Sequence, residues 1–230
     1  MSGQDEELAA AKERGWRELA EIDRALDDGW IDEDEWHRRV LALVEPAYLA
    51  GSNLQAGSGH GGDDRTWEHA RRLVLDAVDR DGSFLDVGCA NGLLMESVAR
   101  WAAEDGVVLE PYGVEISPAL ADLARRRLPR WADRIWTANA RDFEPAQRFT
   151  YVRTGLDYVP VRRRRAYVEH LLARVVAPGG RLIVGAYNEE SAGADLAETV
   201  ETWGLSVAGR TMREHRHPAL AYKAFWLVAE

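Results

Sequence analysis

Between Phe84 and Pro118, two short apolar runs, Phe84–Val87 and Val107–Val114, flank a helix-spaced stretch from Leu93 to about Glu104. Runs of this length, bounded by small and polar residues, read as buried parallel strands, and the three pieces together make a βαβ unit. The first strand leads into Gly88-Cys89-Ala90-Asn91-Gly92. Small residues at 88, 90 and 92 let the chain turn sharply into the helix and bring backbone close to a ligand. Glu115 ends the second strand, where a carboxylate can accept hydrogen bonds from both hydroxyls of a ribose. The segment reads as a nucleoside-cofactor site.

A nicotinamide-dinucleotide fingerprint needs glycines at the first, third and sixth positions of its loop and an acidic residue about 20 positions on. Here the third position is Ala90, the sixth is Leu93, and Glu115 lies farther along. Together with Tyr112-Gly113-Val114-Glu115-Ile116-Ser117-Pro118, and with Pro178-Gly179-Gly180 before Leu182-Ile183-Val184-Gly185, the pattern resembles class I S-adenosylmethionine-dependent methyltransferases. The resemblance covers about residues 65–230. It implies an α/β fold, a Rossmann-like seven-stranded, mostly parallel sheet whose antiparallel last strand is inserted between the fifth and sixth. It also implies S-adenosyl-L-methionine as cofactor.

By the same resemblance, Asp86 organises the loop and reaches the cofactor's amino group directly or through water. Backbone at Gly88, Cys89 and Ala90 lies against the methionine part, and Gly92 keeps the helix start open. Glu115 takes the ribose hydroxyls and Ile116 one adenine face. Ala138-Asn139-Ala140-Arg141-Asp142-Phe143 stands where many relatives have Gly-Asp-Ala, so Asn139 replaces the aspartate that accepts from the adenine amino group, with Asp142 in competition. Arg153, at the end of the fourth strand, would contact the methionine end through its backbone.

Methyl transfer to a hydroxyl needs an in-line acceptor and a group to take its proton. His60, Asp157, Tyr158 and Tyr187 are the candidates for that base. No cluster has metal-ligand spacing, and no metal is expected. Nothing reads Asn/Asp-Pro-Pro-Tyr/Phe, by which many base-amino methyltransferases hold a nitrogen acceptor. A net charge of −10 argues against nucleic acid as the main partner and favours a small-molecule acceptor, O-methylation of a specialised metabolite being the first expectation. Arg162-Arg163-Arg164-Arg165 opposes a helix dipole at its predicted position and reads as a solvated face, or as a site for an anionic acceptor or partner. The alternatives are an RNA methyltransferase and a non-catalytic cofactor-binding scaffold.

The start is acidic and polar, no apolar run approaches the ~18 residues of a membrane span, and the single cysteine, Cys89, suits a reducing compartment, so a cytoplasmic protein is expected. Residues 1–50 read as a helical hairpin. Leu8, Trp16, Leu19, Ile22 and Leu26 line its first helix, and a break follows at Asp27-Asp28-Gly29. A second helix is capped by Asp32 with Glu35 as capping-box partner and closed by Pro46. Trp16, Trp30 and Trp36 are its expected core, with homodimerisation a further role. Residues 51–64, rich in glycine, are expected to hold no regular element and to move. Beyond them a helix is expected over about Arg65–Val78, strands over Ile135–Thr137, Phe149–Arg153, Arg181–Tyr187, Ser206–Met212 and Tyr222–Val228, and helices over Pro118–Arg127, about Arg163–Val176 and Asp195–Trp203.

Overall fold

The computed structural model describes residues 17–190, 195–215, 217 and 220–230. The chain divides into two compact units, Met1–Ala47 and Tyr48–Glu230.

Residues 17–27 form helix α1 and Glu33–Leu49 form α2, whose last two residues count with the second unit; between the helices is a turn in which Gly29 takes a φ of 75°. Asp32 caps α2 by accepting the amide of Glu35 at 2.8 Å. Glu35 does not return the bond: its carboxylate pairs with Arg38 and Arg39, both at 2.6 Å. Pro46 sits inside α2 and does not end it, the helix running on to Leu49. Trp36 is buried and donates its indole N–H to Asp23 at 2.8 Å. Trp30 is 77% exposed, so it is no part of a core, because the turn projects it outward. Leu8 and Trp16 lie outside the described residues.

The second unit is built on seven strands, β1 (Gly82–Val87), β2 (Leu109–Glu115), β3 (Ile135–Thr137), β4 (Phe149–Thr154), β5 (Val176–Glu190), β6 (Gly209–Glu214) and β7 (Leu220–Val228). They lie in the order β3-β2-β1-β4-β5-β7-β6. The first five run parallel, and β7 is antiparallel to both β5 and β6. The seven-stranded Rossmann-like sheet with an inserted antiparallel last strand is therefore present as expected.

Alternation along the strands sends side chains to two cores. Leu85, Val87, Val152, Leu182 and Val184 pack with Tyr167, Val168 and Leu171 on one side. Phe84, Tyr151 and Ile183 pack on the other with Trp67 of α3 (Asp64–Arg71) and with Leu94, Val98 and Trp101 of α4 (Leu93–Glu104). Both faces are covered, which is why the parallel strands read as continuous apolar runs.

Several boundaries differ from expectation. The helix expected over residues 65–78 is an α-helix only to Arg71, whose φ of −120° breaks it and tightens the chain into a 3-10 segment, Arg72–Ala77. Strand β2 starts at Leu109 because the Val107 amide closes α4 on the Ala102 carbonyl and the Val108 amide goes to Asp81. Strand β5 pairs Val176 with Phe149, loops out through Pro178 and left-handed Gly179, and resumes with Arg181 opposite Tyr151. Residues 51–64, expected to hold no regular element, carry a 3-10 turn, Ala56–Ser58. Helices α5 (Pro118–Arg127), α6 (Arg164–His170) and α7 (Leu196–Thr202) complete the unit.

Candidate functional site

The end of β1 bends through three left-handed residues, Gly88 at φ 70°, Ala90 at 48° and Gly92 at 77°. Each glycine leaves room for one neighbour. A Cβ on Gly88 would fall 2.8 Å from the ring of Tyr158, and one on Gly92 would fall 2.7 Å from Leu128 Cδ1. The alanine is instead held by hydrogen bonding: Ala90 N donates to Glu115 Oε2 at 2.8 Å, while Ser117 N donates to Oε1 at 3.0 Å. Glu115 is buried at the end of β2. Ile116 beside it is half-buried. Cys89 is fully packed, and burial pushes its thiol well above the ordinary range, so it fills space and does not react.

Asn91, absent from the expected site, ties this loop to the glycine-rich segment. Its Oδ1 caps α4 through Leu93 N at 3.0 Å and accepts Ser58 Oγ at 2.6 Å, while its Nδ2 donates to the Leu54 carbonyl at 2.9 Å. An asparagine just before a helix is a cap signal that the sequence displays; its second partner, 33 residues away, is not. His60, in the same segment, is buried and packed edge-on to Trp67 at 5.7 Å, with Nε2 3.3 Å from Thr66 Oγ1.

Asp86 and Arg153 face each other across β1 and β4, paired in register and both buried, with Arg153 Nη1 3.2 Å from Asp86 Oδ1. Burial pushes the Asp86 carboxyl up to about 6, and the Arg153 guanidinium acts against that rise. Arg153 Nη1 also donates to Tyr158 Oη at 3.0 Å. Burial raises the Tyr158 phenol well above the tyrosine range, Arg153 again opposing, so Tyr158 is a poor proton acceptor. Asp157 beside it is exposed. The side chain of Arg153, expected to contribute only backbone, is thus the centre of a buried polar network.

A second buried arginine, Arg71 of α3, was not expected. Its guanidinium carbon stands 3.5 Å from the ring centroid of Tyr187 and 5.1 Å from that of Trp67. Arg153 stands 5.3 Å from the same Tyr187 ring. The sequence hides Arg71, because an arginine in a helix of mixed polarity reads as surface. Tyr48, at the start of the second unit, reaches Gly59, and burial raises its phenol.

After β3, Asn139 accepts the amide of Arg141 at 3.0 Å, while Asp142 is exposed and paired with Arg141 at 2.7 Å. Ala140 is half-buried between them. Asp86, Gly88, Cys89, Ala90, Gly92, Glu115, Arg153, Tyr158 and Tyr187 are therefore gathered where β1, β2, β4 and β5 end or extend, the place where open parallel sheets bind ligands.

No family model matches the chain, and no curated protein matches it in sequence. Solved structures do match. The N-methyltransferase NodS from Bradyrhizobium japonicum, in complex with S-adenosyl-l-homocysteine, is 19% identical over 80% of this chain and 97% of its own, with a TM-score of 0.60. The 1,6-didemethyltoxoflavin-N1-methyltransferase from Burkholderia thailandensis, with S-adenosylhomocysteine, is 14% identical over 86% of this chain and 91% of its own, at 0.64. The [4+2]-cyclase SpnF is 19% identical over 73% of both chains, at 0.54. The chain shares the Rossmann-like fold of class I S-adenosylmethionine-dependent methyltransferases. A likeness at this identity carries the fold, and SpnF is a fold-mate described as a cyclase.

Proposed function

We propose that this protein is an S-adenosylmethionine-dependent methyltransferase acting on a small-molecule acceptor, by O-methylation of a specialised metabolite. The observation that carries the reading is Glu115, a buried carboxylate at the end of β2 whose oxygens fix the Ala90 turn of the β1 loop. The donor set suits the cofactor: Glu115 and Ile116 for the nucleoside, Asn139 with Ala140 for the base, the 88–92 backbone for the methionine portion. Asp86, a buried carboxylate at the end of β1, suits the cofactor's ammonium.

When bound, the cofactor supplies an electrophilic methyl group. The chain's own contribution is position and charge. Tyr158 lies over Gly88, the 51–64 segment is tethered to Asn91 and closes over the acceptor by moving on that tether, and Asp157 takes the proton of a hydroxyl acceptor. Among the four candidate bases Tyr158 is disfavoured, since burial keeps its phenol protonated, and Asp157 is preferred as a carboxylate open to solvent beside it. An RNA acceptor draws no support from the arginine run: Arg164 bonds the Leu156 carbonyl and Arg165 pairs with Glu169. A homodimer formed through the hairpin is part of the same proposal, with exposed Trp30 as its contact, and light scattering on the full chain and on Trp30→Ser tests it.

Calorimetric titration with S-adenosylmethionine, S-adenosylhomocysteine and NAD tests the central reading. Binding of the first two without the third supports it; binding of NAD alone overturns it.

A further inference from the structure

Two guanidinium groups are buried beside the Tyr187 ring, and among the described residues only one has a carboxylate partner. Arg153 pairs with Asp86 at 3.2 Å. Arg71 is 7% exposed, has aromatic faces on Tyr187 and Trp67, and has no carboxylate. A cation against π-faces recovers part of its lost hydration, but a charge taken out of water without an anion is costly, and burial accordingly lowers the pKa of Arg71. Three buried polar atoms around this ring, Arg71 Nη1, Arg153 Nε and Tyr187 Oη, have no hydrogen-bond partner among the described residues. Native structures leave only a few such groups, each calling for an explanation, and three of the six found among the described residues gather at this one ring.

We infer that Arg71 Nη1, Arg153 Nε and Tyr187 Oη form a receptor for a carboxylate carried by the methyl acceptor. The inference rests on the methyltransferase reading and names its substrate class. The pairing favours a monoanion: Asp86 answers the Arg153 guanidinium, while Arg71 has no carboxylate among the described residues, and one carboxylate would match its single charge where a phosphate dianion would exceed it. Three separate donors also match the lone pairs of two oxygens. The location favours the acceptor over the cofactor. Tyr187 lies on β5, which β4 separates from β1, whereas the loop and Glu115 lie at the ends of β1 and β2. With strands spaced about 4.8 Å apart, the backbone of β5 lies roughly 10 Å across the sheet from that of β1. Gly185 serves this arrangement, since a Cβ there would fall 2.6 Å from Tyr187 Oη.

The test is thermal unfolding of the full-length protein saturated with S-adenosylhomocysteine, titrated with sodium formate against sodium chloride at matched ionic strength. Formate is the smallest carboxylate and enters any site built for one. The expected result is a higher melting temperature in formate than in chloride, an increment lost in Arg71→Met and reduced in Tyr187→Phe. Without formate, Arg71→Met melts no lower than the parent, because it removes a charge that has no counter-anion. No increment in the complex, or one unchanged in both variants, overturns the inference. So does an increment seen only before S-adenosylhomocysteine is added, which would give the receptor to the cofactor's own carboxylate. Calorimetry on the unaltered protein separates the two levels: failure to bind S-adenosylhomocysteine defeats the methyltransferase reading, whereas binding without a formate increment defeats this inference alone.

Discussion

The carboxylate of Glu115 accepts the amide of Ala90 at 2.8 Å, and Ala90 is the one non-glycine among the described residues with a positive φ, 48°. A left-handed alanine costs about 1–2 kcal/mol, so the bend of the β1 loop is held against a local preference by a side chain from the neighbouring strand. The same carboxylate proposed to bind ribose therefore also shapes the loop beside it.

Ala90→Gly should stabilise the protein. Relief of about 1–2 kcal/mol of steric cost exceeds the about 0.5–1 kcal/mol of extra chain entropy that glycine loses on folding. The net gain, up to about 1 kcal/mol, is read as a higher urea midpoint at unchanged slope; a lower midpoint would show that the turn is unstrained.

Glu115→Ala should weaken S-adenosylhomocysteine binding by ~2–4 kcal/mol, through loss of a charged acceptor for two buried hydroxyl donors. Titration is run on protein whose circular dichroism matches the parent, because the variant also frees the amides of Ala90 and Ser117. Affinity within twofold of the parent would remove the ribose assignment.

Asp86 gives a pH dependence of definite sign. Its carboxyl is pushed from 3.8 up to about 6, so the folded protein holds a proton that the unfolded chain releases. The resulting stability is present below about pH 4 and is lost as pH rises through about 6, an effect on the order of 2–3 kcal/mol. Unfolding free energies of the parent and Asp86→Asn measured across this window should converge or cross by that amount, and parallel curves would refute the assignment. Binding runs the other way: a ligand ammonium needs Asp86 ionised, so affinity should fall by up to about tenfold per pH unit below 6.

Asn91→Ala removes the link between the β1 loop and residues 54–58. Faster amide exchange should appear in that segment and at the start of α4, with a stability loss of about 1–3 kcal/mol and no change in the exchange of β4 and β5. Uniform loss of protection would place Asn91 in the global core instead.

What the sequence displays well is whatever depends on a period or on a special backbone angle. The strands β1, β3 and β4 lie within one or two residues of their apolar runs, and Gly88 and Gly92 stand at left-handed positions. The misses are of two kinds. Pro46 and Trp30 followed local rules that the structure overrides: α2 continues past its proline to Leu49, and a tryptophan on a turn is turned outward. Arg71, Asn91 and the side chain of Arg153 acquire their places only when segments far apart in sequence meet, and no local pattern marks an arginine that ends up beneath a tyrosine of β5.

The position of β7 has a consequence for how the chain is made. β5 has its inner edge paired with β4, but its other edge is covered by β7, which emerges from the ribosome only after α7 and β6. Until then Leu182, Ile183 and Val184 sit on an open strand edge, the kind of template that recruits other chains. During synthesis the half-made sheet is thus most prone to aggregation in the interval between β5 and β7, and a pause in translation there should lower the yield of soluble protein more than a pause placed earlier.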